Sequence, residues 1–376
     1  MKIGITGQNG FIGRHLFNFL GLQNDIELIP FQKESFKDTA LLADFVKQCD
    51  TIVHFAAMNR HENPEVIYNT NLDLVKKLIA ACEKVSATPH ILFASSTQEE
   101  RENLYGKSKK DGRDLLENWA TVNGAVTTGM LIPNVFGPFG KPYYNSVIAT
   151  FCHQLAATKE EPTIIQDGTV NLIYINELLF EIYRLIINPK QGKVEISYYH
   201  TYKVSDILDK LKLYKTEYLT KGVFPAIDTP FELALFNTFR CYIPHNYFPR
   251  PFVNNIDSRG NFVEIVRANT SGQFSFSTTK PGITRGNHFH TRKAERFAVI
   301  KGKAKISLRK IDSMDVIDYF IDGASPAYVD MPVWHTHNIT NIGEEELVAL
   351  FWINEPYNAE DPDTYFINVE QNDGQV

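Results

Sequence analysis

The sequence predicts an α/β fold with a doubly wound parallel sheet, joined to an all-β barrel or sandwich. Three observations carry that expectation. Apolar runs alternate with helical patterns up to about residue 245. A glycine triplet, Gly7, Gly10 and Gly13, connects the first apolar run to the first helical one. From about residue 246 the texture changes to short apolar runs broken by turn residues. A chain of 376 residues is comfortable for two cores, and the expected domains are 1–245 and 246–376.

Taken in order, "KIGITG" reads as a strand. "GFIGRHLFNFLG" reads as a helix with Phe11, Ile12, Leu16, Phe19 and Leu20 on its apolar face. "IELIPF", "TIVHFAA", "HILFASS" and "TTGMLIP" read as further strands, with helical patterns near 71–86 and 105–122 between them. "SVIATFCHQLAAT", "NELLFEIYRLII" and "SDILDKLKL" add helices, the last with Ser205 as its expected cap. "NYFPRPFVNNIDSRG" has the proline, aspartate and glycine content of a linker. Beyond it, "FVEIVR", "QFSFSTT", "RFAVIKG", "AKISLRK", "VIDYFI" and "LVALFWI" read as strands of an all-β domain.

Composition narrows the function class. The chain is 43% apolar and 22% charged, as ordinary globular proteins are. A net charge of −6 offers no overall positive field for nucleic acid, so an anionic substrate must find local Lys and Arg. No apolar run reaches membrane-spanning length, and "MKIGITGQNG" has no leader-like apolar core, so a cytoplasmic protein is expected. Cys49, Cys82, Cys152 and Cys241 are scattered without a CxxC spacing and read as reduced, buried thiols.

In "ITGQNGFIG", Gly7, Gly10 and Gly13 fall directly between strand and helix. Small residues there let the backbone approach a pyrophosphate, and the helix N-terminus offers free N–H groups and a positive dipole. A dinucleotide site is therefore expected around Gly7, Gly10, Phe11, Ile12, Gly13 and Arg14. "IELIPFQKES" shows no acid at the expected strand end, where one would hold a ribose 2′-hydroxyl, and Lys33 stands nearby. That favours NADPH, with Lys33 or Arg14 at the 2′-phosphate.

The G-x-x-G-x-x-G spacing resembles that of extended short-chain dehydrogenases, whose fold is a Rossmann-type sheet. "HFAAMN" at 54–59, Asn71, "FASST" followed by "YGKSK", and "PNVFGP" at 133–138 are similar to further motifs of that family. The resemblance implies Ser96, Tyr105 and Lys109 as catalytic residues, with Tyr105 and Lys109 also touching cofactor; Thr97 is the fallback for Ser96. The chemistry agrees: residues four apart share a helix face, and an ammonium beside a phenol lowers its pKa for proton exchange with a carbonyl oxygen. Tyr199 and Lys203 share the Y-x-x-x-K spacing but lack the serine-strand context and read as surface. The same likeness implies Asn134 at the substrate; Asn145, in "KPYYNSVIATFC", is a further expected substrate contact, in a stretch similar to the CapF/FnlB family of two-domain capsule and O-antigen enzymes. Where that family commonly has an Arg three residues before the Asn of "PNVFG", this chain has Leu131.

"GITRGNHFHTRKAERFAVIKG" matches the first cupin motif through Gly282, His288, His290, Glu295 and Gly302. "PVWHTHNITN" resembles the second, through Pro332, His337 and Asn341, with Trp334 in place of its glycine. Residues two apart on a strand share a face, so His288 and His290 point the same way. Three imidazoles and a carboxylate, His288, His290, His337 and Glu295, suit Zn²⁺ and also accept Mn²⁺, Fe²⁺, Ni²⁺ or Co²⁺. His335 has the wrong offset and reads as a supporting or surface residue.

"DSRGNFVEI" and "TRGNHFH" are similar to patterns of the nucleotide-sugar 3,5-epimerase cupins, with Arg259 and Arg285 placed at a diphosphate. In those proteins the equivalent of His288 is the base. Here the same residue is needed by the metal, so His290, Glu295, Lys303 or a tyrosine remains a candidate proton carrier. The whole arrangement resembles the CapF/FnlB family of bifunctional capsule and O-antigen enzymes. That resemblance implies a homodimer that epimerises C3 of a UDP-4-keto-6-deoxy-N-acetylhexosamine in the cupin. NADPH then reduces C4, giving UDP-2-acetamido-2,6-dideoxy-L-talose. The order follows from chemistry, since reducing the ketone removes the acidity on which epimerisation relies. The alternative is an NAD-retaining 4,6-dehydratase or 4-epimerase with a non-catalytic cupin dimerisation module; dehydratases commonly carry an acidic pair after the Ser or Thr, which Glu99 and Glu100 of "STQEE" would supply.

Overall fold

The computed structural model describes residues 1–258 and 260–370. The chain divides into two compact units, one of Met1–Phe136 with Thr169–Tyr202, the other of Gly137–Gly168 with the chain from Lys203 onward.

In the first unit, β1 (Lys2–Thr6), β2 (Glu27–Ile29), β3 (Thr51–His54), β4 (His90–Ser96), β5 (Thr127–Ile132) and β8 (Gly192–Glu195) form a parallel sheet in the order β2-β1-β3-β4-β5-β8. A second sheet orders β6 (Asn134–Phe136), β7 (Thr169–Tyr174) and β9 (His200–Lys203) as β6-β7-β9. The central strands are apolar on both faces, as a sheet covered by helices requires: Ile3, Ile5, Ile52, Val53, Ile91, Leu92 and Met130 are all buried. Leu131, where an arginine was conceivable, is also core. The chain leaves β1 for β2 and returns across it to β3. The switch point, where ligands bind in such sheets, therefore lies at the C-terminal ends of β1 and β3.

The second unit holds two five-stranded sheets and the hairpin of β11 (Asn254–Asp257) with β12 (Gly260–Val263). One sheet orders β10 (Arg250–Pro251), β18 (Ala327–Met331), β15 (Glu295–Lys301), β20 (Leu347–Ile353) and β13 (Gln273–Thr279). The other orders β17 (Val316–Asp322), β16 (Lys303–Lys310), β19 (His335–Asn341), β14 (Thr284–Phe289) and β21 (Tyr365–Phe366). Pairing is antiparallel, and alternate residues such as Phe297, Val299, Ile306, Leu308, Val329, Met331 and Ile339 fill the core of this unit. The expected linker is only partly irregular, since β10 and β11 lie within it. Helices 147–157, 204–214 and 230–240 belong to this unit too.

Two local expectations change. Ser205 does not cap the helix Val204–Tyr214. It lies inside the first turn, and Asp167 serves instead, accepting from the Ser205 backbone N–H and hydroxyl at 2.9 Å each. Trp334, in the motif's glycine position, keeps the glycine-like backbone with φ of 59°. Its ring is 2% exposed and 5.6 Å from that of Phe289, so packing offsets the left-handed strain.

The second unit also buries a charge pair. Arg296 donates to Asp330 from Nε at 2.7 Å and from Nη2 at 2.9 Å, both residues being 2% exposed. Tyr218 donates to the same carboxylate at 2.5 Å, and the guanidinium stacks 3.7 Å over Tyr328. Removing one partner would strand the other charge in the interior. Asp330→Ala is expected to destabilise this unit by about 3–5 kcal/mol. Urea unfolding followed by tryptophan fluorescence reads the effect, because two of the three tryptophans, Trp334 and Trp352, lie in this unit.

Candidate active sites

The glycine triplet performs three separate jobs. Gly7 has φ of +76°, and a Cβ there would stand 2.8 Å from the Ala56 backbone nitrogen, where the β1 and β3 loops meet. A Cβ on Gly13 would sit 2.3 Å from the Gly7 carbonyl oxygen. Gly10 donates to that carbonyl at 2.9 Å and opens the helix Phe11–Leu20 without a side-chain cap. By contrast Asp38, Asn63, Asn103, Ser146 and Thr229 each cap a helix with a side chain. With no side-chain cap at Gly10, this helix start suits an anion such as a pyrophosphate. Arg14 is exposed in the first turn, and Lys33 is exposed at the start of a 3-10 turn after β2. No acid occurs between the end of β2 and Lys33.

The dehydrogenase-motif residues Tyr105 and Lys109 are neighbours, and Lys109 reaches back to β4, the strand that ends at Ser96. Tyr105 and Lys109 lie on the helix Leu104–Asn123, whose Asn103 cap accepts from the Gly106 N–H at 2.7 Å. Lys109 is 4% exposed and donates to the Ala94 carbonyl at 3.0 Å. Its ammonium lies 5.8 Å from the centre of the Tyr105 ring. Burial draws its pKa down to about 8, opposed by the charge of Glu99. Ser96 ends β4, half-buried, its hydroxyl accepting from the Gln98 N–H at 3.2 Å, while Thr97 is exposed. Asn71 bridges this region, accepting from Met58 N–H at 2.7 Å and donating to the Ser108 hydroxyl at 3.0 Å. Asn134 is exposed on β6 and donates to the Asn171 carbonyl at 3.2 Å. Asn145 is exposed ahead of the helix Val147–Ala157. Tyr199 is a surface residue whose hydroxyl donates to Glu181.

Glu99 has a different role from the one an acidic catalytic pair would give it. It is bound by Arg113 and by the Ser95 hydroxyl, while Glu100 is an exposed side chain 3.8 Å from Lys193.

In the second unit, the potential ligand atoms of His288, His290, Glu295 and His337 all lie within 4.8 Å of one another. Glu295 opens β15, and His288 pairs with His337 across β14 and β19. A bulge after Gly286 turns β14 at this point, with Asn287 at φ of 59°. A Cβ on Gly286 would press 2.8 Å from the His337 carbonyl oxygen.

Proton placement follows from the partners. Nδ1 of His290 bonds the Asp363 carbonyl at 2.5 Å, and Nδ1 of His337 bonds the His335 carbonyl at 3.0 Å. A carbonyl only accepts, so each Nδ1 carries a hydrogen and Nε2 is the ring atom turned towards Glu295. Those Nε2 atoms lie 3.3 and 3.2 Å from Glu295 Oε2, yet none of the three is aligned in a hydrogen bond among the described residues. Burial pushes His288 down to about 4, assisted by His337 and His290, so it is neutral at physiological pH. Burial would raise the Glu295 carboxyl, but His290 and His337 hold it well below the usual carboxylate range. Burial would likewise lower His290, but Glu295 and Asp363 bring it above its ordinary value. Buried imidazole nitrogens converging around a carboxylate fit a divalent cation, and nitrogen with one oxygen suits zinc-like ions.

A cavity of about 200 Å³ opens beside this cluster, lined by Lys293, Tyr357, Gln273, Ser275 and Thr364 as well as ligand residues. Lys303 and Arg285 are exposed and do not line it. Arg259 lies outside the described residues. His335, expected as a supporting or surface residue, is 4% exposed and lines a separate cavity, while its carbonyl orients His337. Asn341 is a turn hub, donating to the Thr279 and Glu345 carbonyls. Sequence reasoning missed Asp363 altogether. Its carboxylate accepts from the Thr291, Arg292 and Lys293 N–H groups while its carbonyl aims His290. Nothing in the spacing of a lone aspartate some seventy residues away signals that contact.

Comparison with known proteins follows the same division. The NAD dependent epimerase/dehydratase family model matches residues 3–199, and the polysaccharide biosynthesis C-terminal domain matches residues 255–365. UDP-2-acetamido-2,6-beta-L-arabino-hexul-4-ose reductase of Pseudomonas aeruginosa is 33% identical over 373 residues, covering 98% of this chain and 99% of that one. The capsular polysaccharide assembling protein CapF of Staphylococcus aureus superposes with a TM-score of 0.63 at 33% identity, covering 98% of this chain and 100% of that one. The chain belongs to the CapF/FnlB family. It thereby joins an oxidoreductase family of nucleotide-sugar enzymes in polysaccharide synthesis, with an extended short-chain dehydrogenase fold and a cupin. The NADPH-complexed RMD of Pseudomonas aeruginosa, at 20% identity and a TM-score of 0.51, shares the fold over 57% of the chain. Among the described residues, no helix is long and apolar enough to cross a membrane.

The close approach at Gly13 makes the CapF-like cofactor loop testable. Gly13→Ala is expected to weaken NADPH binding by more than about 10-fold, since the new methyl forces the Gly7 carbonyl out of the turn. Titration of nucleotide fluorescence against the full-length protein measures it.

Proposed function

We propose that this protein carries out two successive steps on one keto-sugar nucleotide, a UDP-4-keto-6-deoxy-N-acetylhexosamine. The cupin, residues 246–376, inverts C3. The reductase domain, residues 1–245, then reduces the C4 ketone with NADPH to UDP-2-acetamido-2,6-dideoxy-L-talose, towards UDP-N-acetyl-L-fucosamine for surface polysaccharide. The protein acts as a cytoplasmic homodimer. The observation that carries the reductase reading is the buried Lys109 ammonium, held by the Ala94 carbonyl beside Tyr105 at the strand end that presents Ser96.

NADPH supplies the hydride. Tyr105 gives its phenolic proton to the ketone oxygen, and the Lys109 charge favours the phenolate left behind. The Ser96 hydroxyl hydrogen-bonds the same oxygen. Lys33 and Arg14 are the proposed contacts of the 2′-phosphate, and the absence of an acid between β2 and Lys33 supports NADPH over NADH. Asn134, Asn145, Arg259 and Arg285 are the proposed substrate contacts.

In the cupin, His288, His290, Glu295 and His337 would hold Zn²⁺ or a similar ion. A cation there supplies positive charge next to the sugar ketone, which acidifies the C3–H. With these four residues committed, the groups left to move a proton are Tyr357 and Lys293 on the cavity wall. A dehydratase is disfavoured, because Glu99 is bound to Arg113 and Ser95 rather than available for acid–base work.

Mixing the protein with NADPH and the UDP-4-keto-6-deoxy-N-acetylhexosamine should consume NADPH, read by absorbance; no consumption removes the reductase assignment. In Tyr105→Phe, reduction should fall by about two to four orders of magnitude, the usual weight of a proton donor. Solvent deuterium should still appear at C3 in that variant. Its absence, by mass spectrometry, would leave the cupin without catalytic work. The purified protein should carry a near-stoichiometric divalent metal by plasma emission spectrometry. His290→Ala and His337→Ala should each lose most of it, while NADPH oxidation on already epimerised substrate persists.

A further inference from the structure

We propose that the Glu99–Arg113 ion pair is the positioning device of the reductase site, holding the Ser96 hydroxyl and the Lys109 ammonium in register with the Tyr105 phenol. The inference rests on the reductase reading above.

Tyr105, Lys109 and Arg113 are spaced four apart along the helix Leu104–Asn123 and so share one face. Arg113 grips Glu99 at two points, Nε to Oε1 at 3.1 Å and Nη2 to Oε2 at 3.1 Å, and reaches Glu117 through Nη1 at 2.8 Å. Glu99 belongs to the 3-10 turn Thr97–Glu100, which begins directly after Ser96, and its carboxylate also accepts from the Ser95 hydroxyl. The carbonyl that receives Lys109 is that of Ala94, one residue before Ser95. One short segment, 94–99, therefore carries the lysine's acceptor, the proposed catalytic serine and the carboxylate that ties both to the tyrosine's helix.

Two glycines make room for the clamp. A Cβ on Gly106, next to Tyr105, would lie 2.0 Å from the Gln98 carbonyl oxygen, so the turn abuts the first turn of the helix. A Cβ on Gly129 of β5 would lie 2.2 Å from Arg113 Cδ, so the neighbouring strand leaves a slot for the arginine stem. The side chains of Glu99 and Arg113 are 4% and 11% exposed, which keeps the pair from being loosened by solvent and salt.

The Glu99 charge also reaches Lys109 itself, which a pair remote from the reductase site would not do. The groups facing Lys109 are Glu99 from the turn, Tyr105 and Arg113 from its own helix, the Phe93 ring from β4, and His54 at the end of β3. His54 is kept neutral, pushed to about 3 by burial and by Lys109 itself. Burial lowers Lys109, and the Glu99 charge opposes that. Replacing Glu99 by a neutral residue lowers the lysine further, so the cation beside Tyr105 is lost at a lower pH.

The test uses the full-length protein, NADPH and the keto-sugar nucleotide, with kcat followed against pH. In Glu99→Gln, kcat should fall about 10-fold or more, with KM for NADPH unchanged within about twofold. Its alkaline limb should move to lower pH by about one unit. Glu99→Asp should restore the limb, because the charge returns. Arg113→Lys should lower kcat while leaving the limb near its wild-type position, and it provides the reading if Glu99→Gln does not fold. A folded Glu99→Gln with wild-type kcat and an unmoved limb overturns the proposal. So does a fall in kcat matched by an equal fall in titrated active sites with the limb unmoved. Wild-type protein that never oxidises NADPH would instead remove the reductase reading, and this assignment with it.

Discussion

A backbone carbonyl can accept a hydrogen bond but never give one, and that one-way chemistry aims the reactive groups in both units. The Ala94 carbonyl draws the Lys109 ammonium to the end of β4. The Asp363 and His335 carbonyls accept from Nδ1 of His290 and His337 and so turn both Nε2 atoms towards Glu295. Carbonyls in strands and tight turns are fixed by the main chain, so the side chains they hold inherit that rigidity. The cost is burial of charge: Lys109 and Glu295 are both 8% exposed or less. Each burial is compensated locally, by Glu99 in one case and by two imidazoles in the other.

Close backbone approach is the second constraint, and glycine is what permits it. Gly7 and Gly13 let the β1 loop close over the switch point, Gly106 lets a helix touch a turn, and Gly286 lets β14 lean on His337. Each accommodates a contact that a methyl group would forbid. Trp334 shows the opposite solution, a large residue held in a glycine-like conformation because its ring is buried against Phe289.

The chemistry proposed for the two sites shares one electrophile. A ketone acidifies the hydrogen beside it and also accepts hydride, so a single functional group serves both steps, and only in one order. That logic explains why a carbonyl reductase and a cation-ready cupin occur in one chain. Glu99, which looks like a spare catalytic acid in the sequence, is held in an ion pair with Arg113.

The sequence by itself determined the features set by short spacing. The strand–glycine–helix entry, the Tyr105 and Lys109 pair on one helix face, and the His288 and His290 pair at strand spacing all depend on geometry repeating within a few residues. The alternation of elements was enough to separate a parallel sheet from an antiparallel one. Tertiary structure decided the rest. Asp363 reaches His290 across 73 positions, Asp167 replaces Ser205 as a cap across 38, and Arg113 claims Glu99 from another element. Such closures depend on which strands and turns become neighbours, and no local pattern of residues encodes that, because the packing of the whole unit selects it.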